Sequence, residues 1–166
     1  MKNDFVIIKE IISKEKALQL SIHLDVRKDK YSIYDDMVPD STAFHNDDEI
    51  TKLQNELRNV IEKHVDLKLF NTYNYCRIYK TGNILDVHKD RDACEISVTL
   101  DLGGDKWSIF MNKKEVMLDM GDAIIYKGCD IPHWREEFKG KTHTQAFMHY
   151  VDQNGKRSWA KDDNHE

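Results

Sequence analysis

The chain has 166 residues, 40% of them apolar and 33% charged, and its 25 basic and 30 acidic side chains leave a formal net charge of −5. A pI near 5.9 and a mean hydropathy of −0.70 argue against the basic surface that duplex nucleic acid or an anionic membrane demands, and no apolar run approaches the ~18 residues of a membrane-spanning helix. Three cysteines (Cys76, Cys94, Cys129) without paired spacing argue against a disulfide framework and a zinc finger, so a single domain, 1–166, in a reducing cytoplasm is expected.

Residues 1–9 lack the apolar core and small-residue cleavage site of a secretion signal. Within them, residues 5–8 form a short apolar run that suits a buried or edge strand. Ser13 is the expected N-cap of a helix reaching about residue 26, with Ala17, Leu18, Ile22 and Leu24 as its apolar stripe. Over residues 27–45 periodicity is lost. Tyr31, Tyr34, Met37, Pro39 and Phe44 alternate there with charges, as expected for a long irregular loop of the kind that carries function. A second helix is expected over 47–64, where Ile50, Leu53, Leu57, Val60 and Ile61 keep helical spacing. Beyond it the period changes to two. Strands are expected at 69–79, 84–90, 96–102, 107–111, 116–120, 123–126 and 143–151, separated by glycine turns at 81–83, 103–105, 120–122 and 139–140. Two helices followed by closely spaced short strands predict an α+β fold, an antiparallel sandwich or barrel with helices on one face. The charged tail, 161–166, is expected to fray, with His165 outside any site.

The eight histidines invite a search for a metal site. His88 and Asp90 stand two apart on an expected strand and so project from one side. An imidazole and a carboxylate on one face supply two of the three ligands of a 2-His-1-carboxylate triad, which suits Fe(II) because the opposite positions stay open. A hydrogen-bonded His–Asp pair has the same spacing, so the assignment needs a third ligand from farther along the chain. His133, after Ile131-Pro132, is the candidate.

With these residues in view, the sequence resembles the iron- and 2-oxoglutarate-dependent oxygenases, in particular the prolyl-4-hydroxylase-like branch. The resemblance rests on Tyr79-Lys80-Thr81-Gly82, His88-Lys89-Asp90, Gly103-Gly104, Gly121-Asp122-Ala123, His133 and Gly140-Lys141, in that order. It covers roughly residues 71–152, nearly half the chain, with a barrel core at about 69–152. It implies a double-stranded β-helix, a jelly-roll or cupin-like barrel with the N-terminal helices backing one sheet. His88, Asp90 and His133 would hold Fe(II), with 2-oxoglutarate as cosubstrate and O2 as oxidant. Hydroxylation of a substrate C–H bond would accompany decarboxylation to succinate and CO2. The branch implies a peptidyl prolyl 4-hydroxylase, its peptide held under the 31–44 loop; a small-molecule hydroxylase acting on free amino acids uses the same motifs. A jelly-roll binding protein without catalysis is the non-enzymatic alternative.

In the resembling family a Lys or Arg on the strand after the distal histidine pairs with the 5-carboxylate of 2-oxoglutarate, a desolvated charge that needs a cation. Counting from Gly140 places it at Lys141, the favoured position; aligning the strand end places it at His143. On a regular strand Lys141, His143, Gln145, Phe147 and His149 share one face. Tyr79 and Thr99 match positions whose hydroxyls touch the cosubstrate in that family, although both residue types favour strands in any case. His149 reads as a satisfied core histidine, and Cys94 as a small buried hydrophobe. Trp107 and Trp134 read as packing residues. Arg135, on the face of His133, has two readings, steadying substrate or a carboxylate near the metal, or, as expected of an arginine at a barrel mouth, simple contact with water.

Overall fold

The computed structural model describes residues 1–163, so His165 lies outside the described residues. Strand β1 (Phe5–Ile8) leads to helix α1 (Lys14–Tyr31), strand β2 (Thr42–His45) and helix α2 (Asp48–Val65). Eight further strands follow: β3 (Leu69–Lys80), β4 (Leu85–His88), β5 (Ile96–Gly104), β6 (Ile109–Met111), β7 (Lys114–Val116), β8 (Ala123–Tyr126), β9 (His133–Arg135) and β10 (Thr142–Asp152). Two sheets form, both antiparallel: a six-stranded one ordered β1-β8-β5-β10-β3-β2 and a four-stranded one ordered β4-β9-β6-β7. No described helix is long and apolar enough to cross a membrane.

Both helices begin where a side chain can take the first free N–H groups. Ser13 Oγ accepts from Lys16 N at 3.0 Å, as expected of an N-cap. Asp47 Oδ1 accepts from Glu49 N and Ile50 N, and its carboxylate also receives His23 Nε2 at 2.9 Å, joining the two helices. Helix α1 runs five residues past the expected end near residue 26 to Tyr31. Its buried stripe is Ala17, Leu20 and Leu24; the expected Leu18 and Ile22 are half exposed, at 50% and 54%. The pattern 17-20-24 closes one helical stripe, and residues 18 and 22 fall on the stripe beside it. These side chains, with Ile50, Leu53 and Ile61 of α2, pack on the outer face of the large sheet against Cys76, Val98, Leu100 and Met148. Each fully buried aliphatic side chain contributes about 1.5–3 kcal/mol.

The loop expected over 27–45 contains a strand. Residues of β2 pair with β3, Ala43 opposite Arg77 and Phe44 opposite Cys76, and the remaining irregular stretch, 32–41, folds over one end of the barrel. Strand β8 spans its expected residues, while β6 and β7 are shorter than expected, β6 beginning later than the 107–111 pattern implies and β7 earlier than the 116–120 pattern implies. Asp122, of the Gly-Asp-Ala motif, has a scaffolding role. Its carboxylate accepts from Lys9 Nζ (2.6 Å), Glu10 N (2.9 Å) and Asp119 N (3.0 Å), tying the chain after β1 to the turn before β8.

Candidate metal centre and barrel interior

Pairing of β4 with β9 sets His88 directly opposite His133, and their ring centroids lie 4.2 Å apart. Asp90 lies beyond β4, which ends at His88, so strand alternation does not place it as the spacing suggests. Its backbone N–H donates to Gly128 O at 2.8 Å, and Ser97 Oγ donates to its Oδ2 at 3.0 Å. Gly128 has to lack a side chain here: a Cβ would meet Asp90 Oδ2 and Cys94 O at 2.4 Å.

The result is a convergent donor set. Asp90 Oδ1 lies 3.4 Å from His88 Nε2 and 3.3 Å from His133 Nε2, and the three ligand atoms all lie within 4.8 Å of one another. Each imidazole turns its Nδ1 to a carbonyl two residues back, Asp86 O for His88 and Ile131 O for His133, both at 2.8 Å. Those bonds select the tautomer whose Nε2 lone pair faces Asp90. A metal–ligand bond of about 2.1 Å would separate adjacent donors of an octahedral face by about 3 Å, close to the spacings found. Burial pushes the Asp90 carboxyl up, but hydrogen bonds from His133 and His88, available when their Nε2 atoms carry a proton in place of a metal, outweigh it and hold the group far below the carboxylate range. A buried anion clasped by two imidazoles requires positive charge, and a divalent cation fits that demand.

Behind Asp90 a chain of groups fixes its orientation. His149 Nδ1 lies 3.0 Å from Ser97 Oγ, which in turn donates to Asp90, and the His149 ring packs on Tyr73 at 4.7 Å. His149 is therefore satisfied and buried, yet reaches Asp90 through the single hydroxyl of Ser97. Burial, its largest influence, holds its pKa to about 4 despite the nearby Asp90 charge. Ser97 carried no motif; its only sequence signal is a hydroxyl on the inward period of β5. Cys94 is buried as expected, its thiol against the Tyr73 hydroxyl at 3.2 Å, and burial raises its pKa beyond the usual thiol range.

A cavity of about 410 Å³ opens beside the triad, walled by Tyr75, Arg77, Tyr126 and Phe147 and covered by Tyr34 and Met37 of the 32–41 loop. The loop is latched from inside. Buried Asp35 accepts from Arg77 Nε at 2.5 Å and caps its own turn through Met37 N and Val38 N. Thr99, fully buried, meets the Tyr126 hydroxyl at 3.2 Å, and the Tyr126 ring stands edge-on to His133. Tyr79 is also fully buried, with Arg77 Nη1 3.3 Å from its hydroxyl. Strand β10 begins at Thr142, so Lys141 lies one residue outside it, exposed, and does not join the inward row of His143, Gln145, Phe147 and His149. His143 is buried; its Nδ1–H donates to Asp105 O at 2.9 Å. Trp107 and Trp134 pack as expected, Trp107 on Phe138 and Trp134 stacked on Phe110. Arg135 departs furthest from its expected place. It is 1% exposed, enclosed by Trp107 and Tyr79.

Two facing antiparallel sheets with a polar interior, and helices on one outer face, define a double-stranded β-helix. Solved structures bear this out. The chain superimposes on a prolyl-4-hydroxylase from Pseudomonas putida with a TM-score of 0.74 at 14% identity, covering 91% of this chain and 94% of that one. HygX from Streptomyces hygroscopicus, with nickel, 2-oxoglutarate and hygromycin B bound, matches at 0.76 and 11% identity over 91% and 84% of the two chains. A prolyl hydroxylase from Trichoplax adhaerens, in complex with a hypoxia inducible factor peptide fragment, matches at 0.71 and 14% over 95% and 87%. At these identities the likeness is one of fold. No protein-family model and no curated protein matches the sequence.

Proposed function

We propose that the protein is an Fe(II)- and 2-oxoglutarate-dependent oxygenase that hydroxylates a substrate C–H bond with O2, releasing succinate and CO2. One observation carries this reading: His88 Nε2, Asp90 Oδ1 and His133 Nε2 converge beside a cavity with their other polar atoms already engaged. These three atoms would hold the metal, which when bound supplies the activation of O2 and of the keto acid. The chain contributes orientation and dryness. Carbonyls of Asp86 and Ile131 fix both imidazoles, Ser97 holds the free oxygen of Asp90, and Tyr126 and Phe147 give the chamber aromatic walls. Thr99 and Tyr79 present buried hydroxyls to the barrel interior, where they would position the cosubstrate.

Within this reading the substrate is a prolyl residue of an extended peptide, laid against the 32–41 loop, where Tyr34 is 71% and Met37 44% exposed. The complex of the Trichoplax adhaerens enzyme with a peptide supports it. A small molecule such as a free amino acid is the second reading. The Asp35–Arg77 latch favours it by closing the loop over a cavity of small-ligand size, and HygX binds such a ligand. A cytoplasmic location belongs to the same proposal, with all three cysteines free.

The test is succinate release in the presence of Fe(II), 2-oxoglutarate and O2, screened across proline-containing peptides and amino acids. His133→Ala and Asp90→Ala are expected to lower Mn(II) affinity by more than about a hundredfold, since loss of a mere outer partner of a metal ligand costs about 10–100-fold. Undiminished turnover in both variants refutes the assigned triad. Conversion of a free amino acid with no oxygen gained by any peptide rejects the peptide reading.

A further inference from the structure

Among the described residues the barrel interior holds two arginines, Arg77 and Arg135, and only Arg77 is paired directly with a carboxylate; Arg135 feels the charge of Asp101 without bonding to it. Arg77 is ion-paired to Asp35. Arg135 makes one hydrogen bond, Nη1 to Trp107 O at 2.9 Å; its buried Nε has no partner and it forms no ion pair among the described residues. A guanidinium with five donors, kept out of water and mostly unpaired, is a costly group to retain unless an anion joins it.

Where it stands matters as much. Arg135 is two residues beyond His133 on β9, on the same face as that metal ligand, and the strand rise sets such residues about 7 Å apart. A five-carbon keto diacid separates its chelating end from its distal carboxylate over a comparable span. The cavity beside the triad reaches Leu85 and Phe147, which pack in one cluster with Tyr79, and the Tyr79 ring lies 5.9 Å from the Arg135 guanidinium.

The two positions that the sequence offers for this task do not supply the charge. Lys141 is exposed, before β10 starts, and it is its backbone N–H that bonds, to Asp105 Oδ2. His143 has both ring nitrogens engaged, Nδ1–H donating to Asp105 O and Nε2 accepting from Gln145. Burial first, and then the charge of Arg135, push its pKa down to about 3, so it is neutral at physiological pH. We infer that Arg135, from the strand of the distal histidine, takes the place of the usual cation on the following strand and binds the distal carboxylate of the keto-acid cosubstrate. The inference rests on the oxygenase reading, and it assigns the selectivity for a diacid to this residue.

The test compares two keto acids on the Mn(II)-loaded protein without O2, by calorimetry: 2-oxoglutarate, and 2-oxopentanoate, which keeps the chelating end and replaces the distal carboxylate with a methyl group. Wild type is expected to prefer the diacid by about thirtyfold or more, the range for a buried charge pair. Arg135→Met is expected to remove that preference while leaving 2-oxopentanoate affinity unchanged, which a merely structural role could not do. Should Arg135→Met fail to fold, Arg135→Lys keeps the charge without the fork geometry, and the preference falls several-fold. A preference that survives in Arg135→Met, or that is undiminished in Arg135→Lys, overturns the assignment, as does its loss in Lys141→Ala, His143→Ala or Arg77→Met. No preference in wild type, with both keto acids bound, overturns Arg135 as an anchor and leaves the oxygenase reading standing. Binding of neither keto acid to the Mn(II) protein overturns both.

Discussion

Strands β3, β5 and β10 carry two unlike surfaces on their opposite faces. Toward the helices they present Cys76, Ile78, Val98, Leu100, Ala146 and Met148, a continuous apolar layer. Toward the barrel they present Arg77, Ser97, Thr99, Asp101, His143, Gln145 and His149, all polar and all buried. Apolar burial stabilises at roughly 25 cal/mol per Å², whereas each buried polar group costs stability unless it finds a partner. The period of two lets one peptide segment hold the fold together with one set of side chains and build a site with the next. Substitutions one residue apart should therefore fail in different ways.

Leu100→Ala should show the larger effect. Leu100 is fully buried between β5 and the helices, and its truncation is expected to cost about 2–5 kcal/mol in urea unfolding. Mn(II) affinity of the folded protein should stay within about twofold of wild type, because no outward residue touches the triad. A parallel fall in metal affinity would break the division between the faces.

Ser97→Ala, three residues earlier on the same strand, should do the reverse. The hydroxyl lies between His149 and Asp90 Oδ2, so its loss frees the Asp90 carboxylate to rotate. Mn(II) affinity is expected to fall about 10–100-fold, the usual cost of an outer partner, with a smaller loss of stability than in Leu100→Ala. Calorimetric titration of both variants decides it; unchanged affinity in Ser97→Ala would leave Asp90 held by Gly128 and the backbone alone.

The helices, the main strands and the His88–Asp90 pair were legible because each rests on a local period or a short spacing, whereas His133, 43 positions beyond Asp90, was reached only through the family resemblance. What escaped is non-local. Four residues, Thr42 to His45, become a strand only because β3 offers them a partner, and nothing in their own order separates them from the loop before them. Asp90 reads as part of a strand, but it is delivered by a contact with Gly128, 38 positions away. Arg135 is a charged residue in a three-residue strand, and its burial depends on Trp107 and Tyr79 closing over it from other elements. Lys141 and His143 could not be separated by counting, because the start of β10, at Thr142, is set by pairing with Lys80.

That last pair bears on the smallest effect expected, and on the polar face itself. His143 has a folded pKa of about 3 against 6.5 when unperturbed, so on acidification the unfolded chain takes up the proton first. Its contribution to stability is complete above pH 6.5 and is lost as the pH falls from 6.5 toward 3, at up to about 1.4 kcal/mol per pH unit. His143→Gln keeps a neutral polar side chain and removes that proton. Urea midpoints measured at pH 7 and pH 5 should therefore fall further in wild type than in the variant. Equal acid losses would mean that His143 takes up a proton in the folded barrel by pH 5, adding a third interior cation to Arg77 and Arg135 and removing the reason to assign the diacid to Arg135 alone.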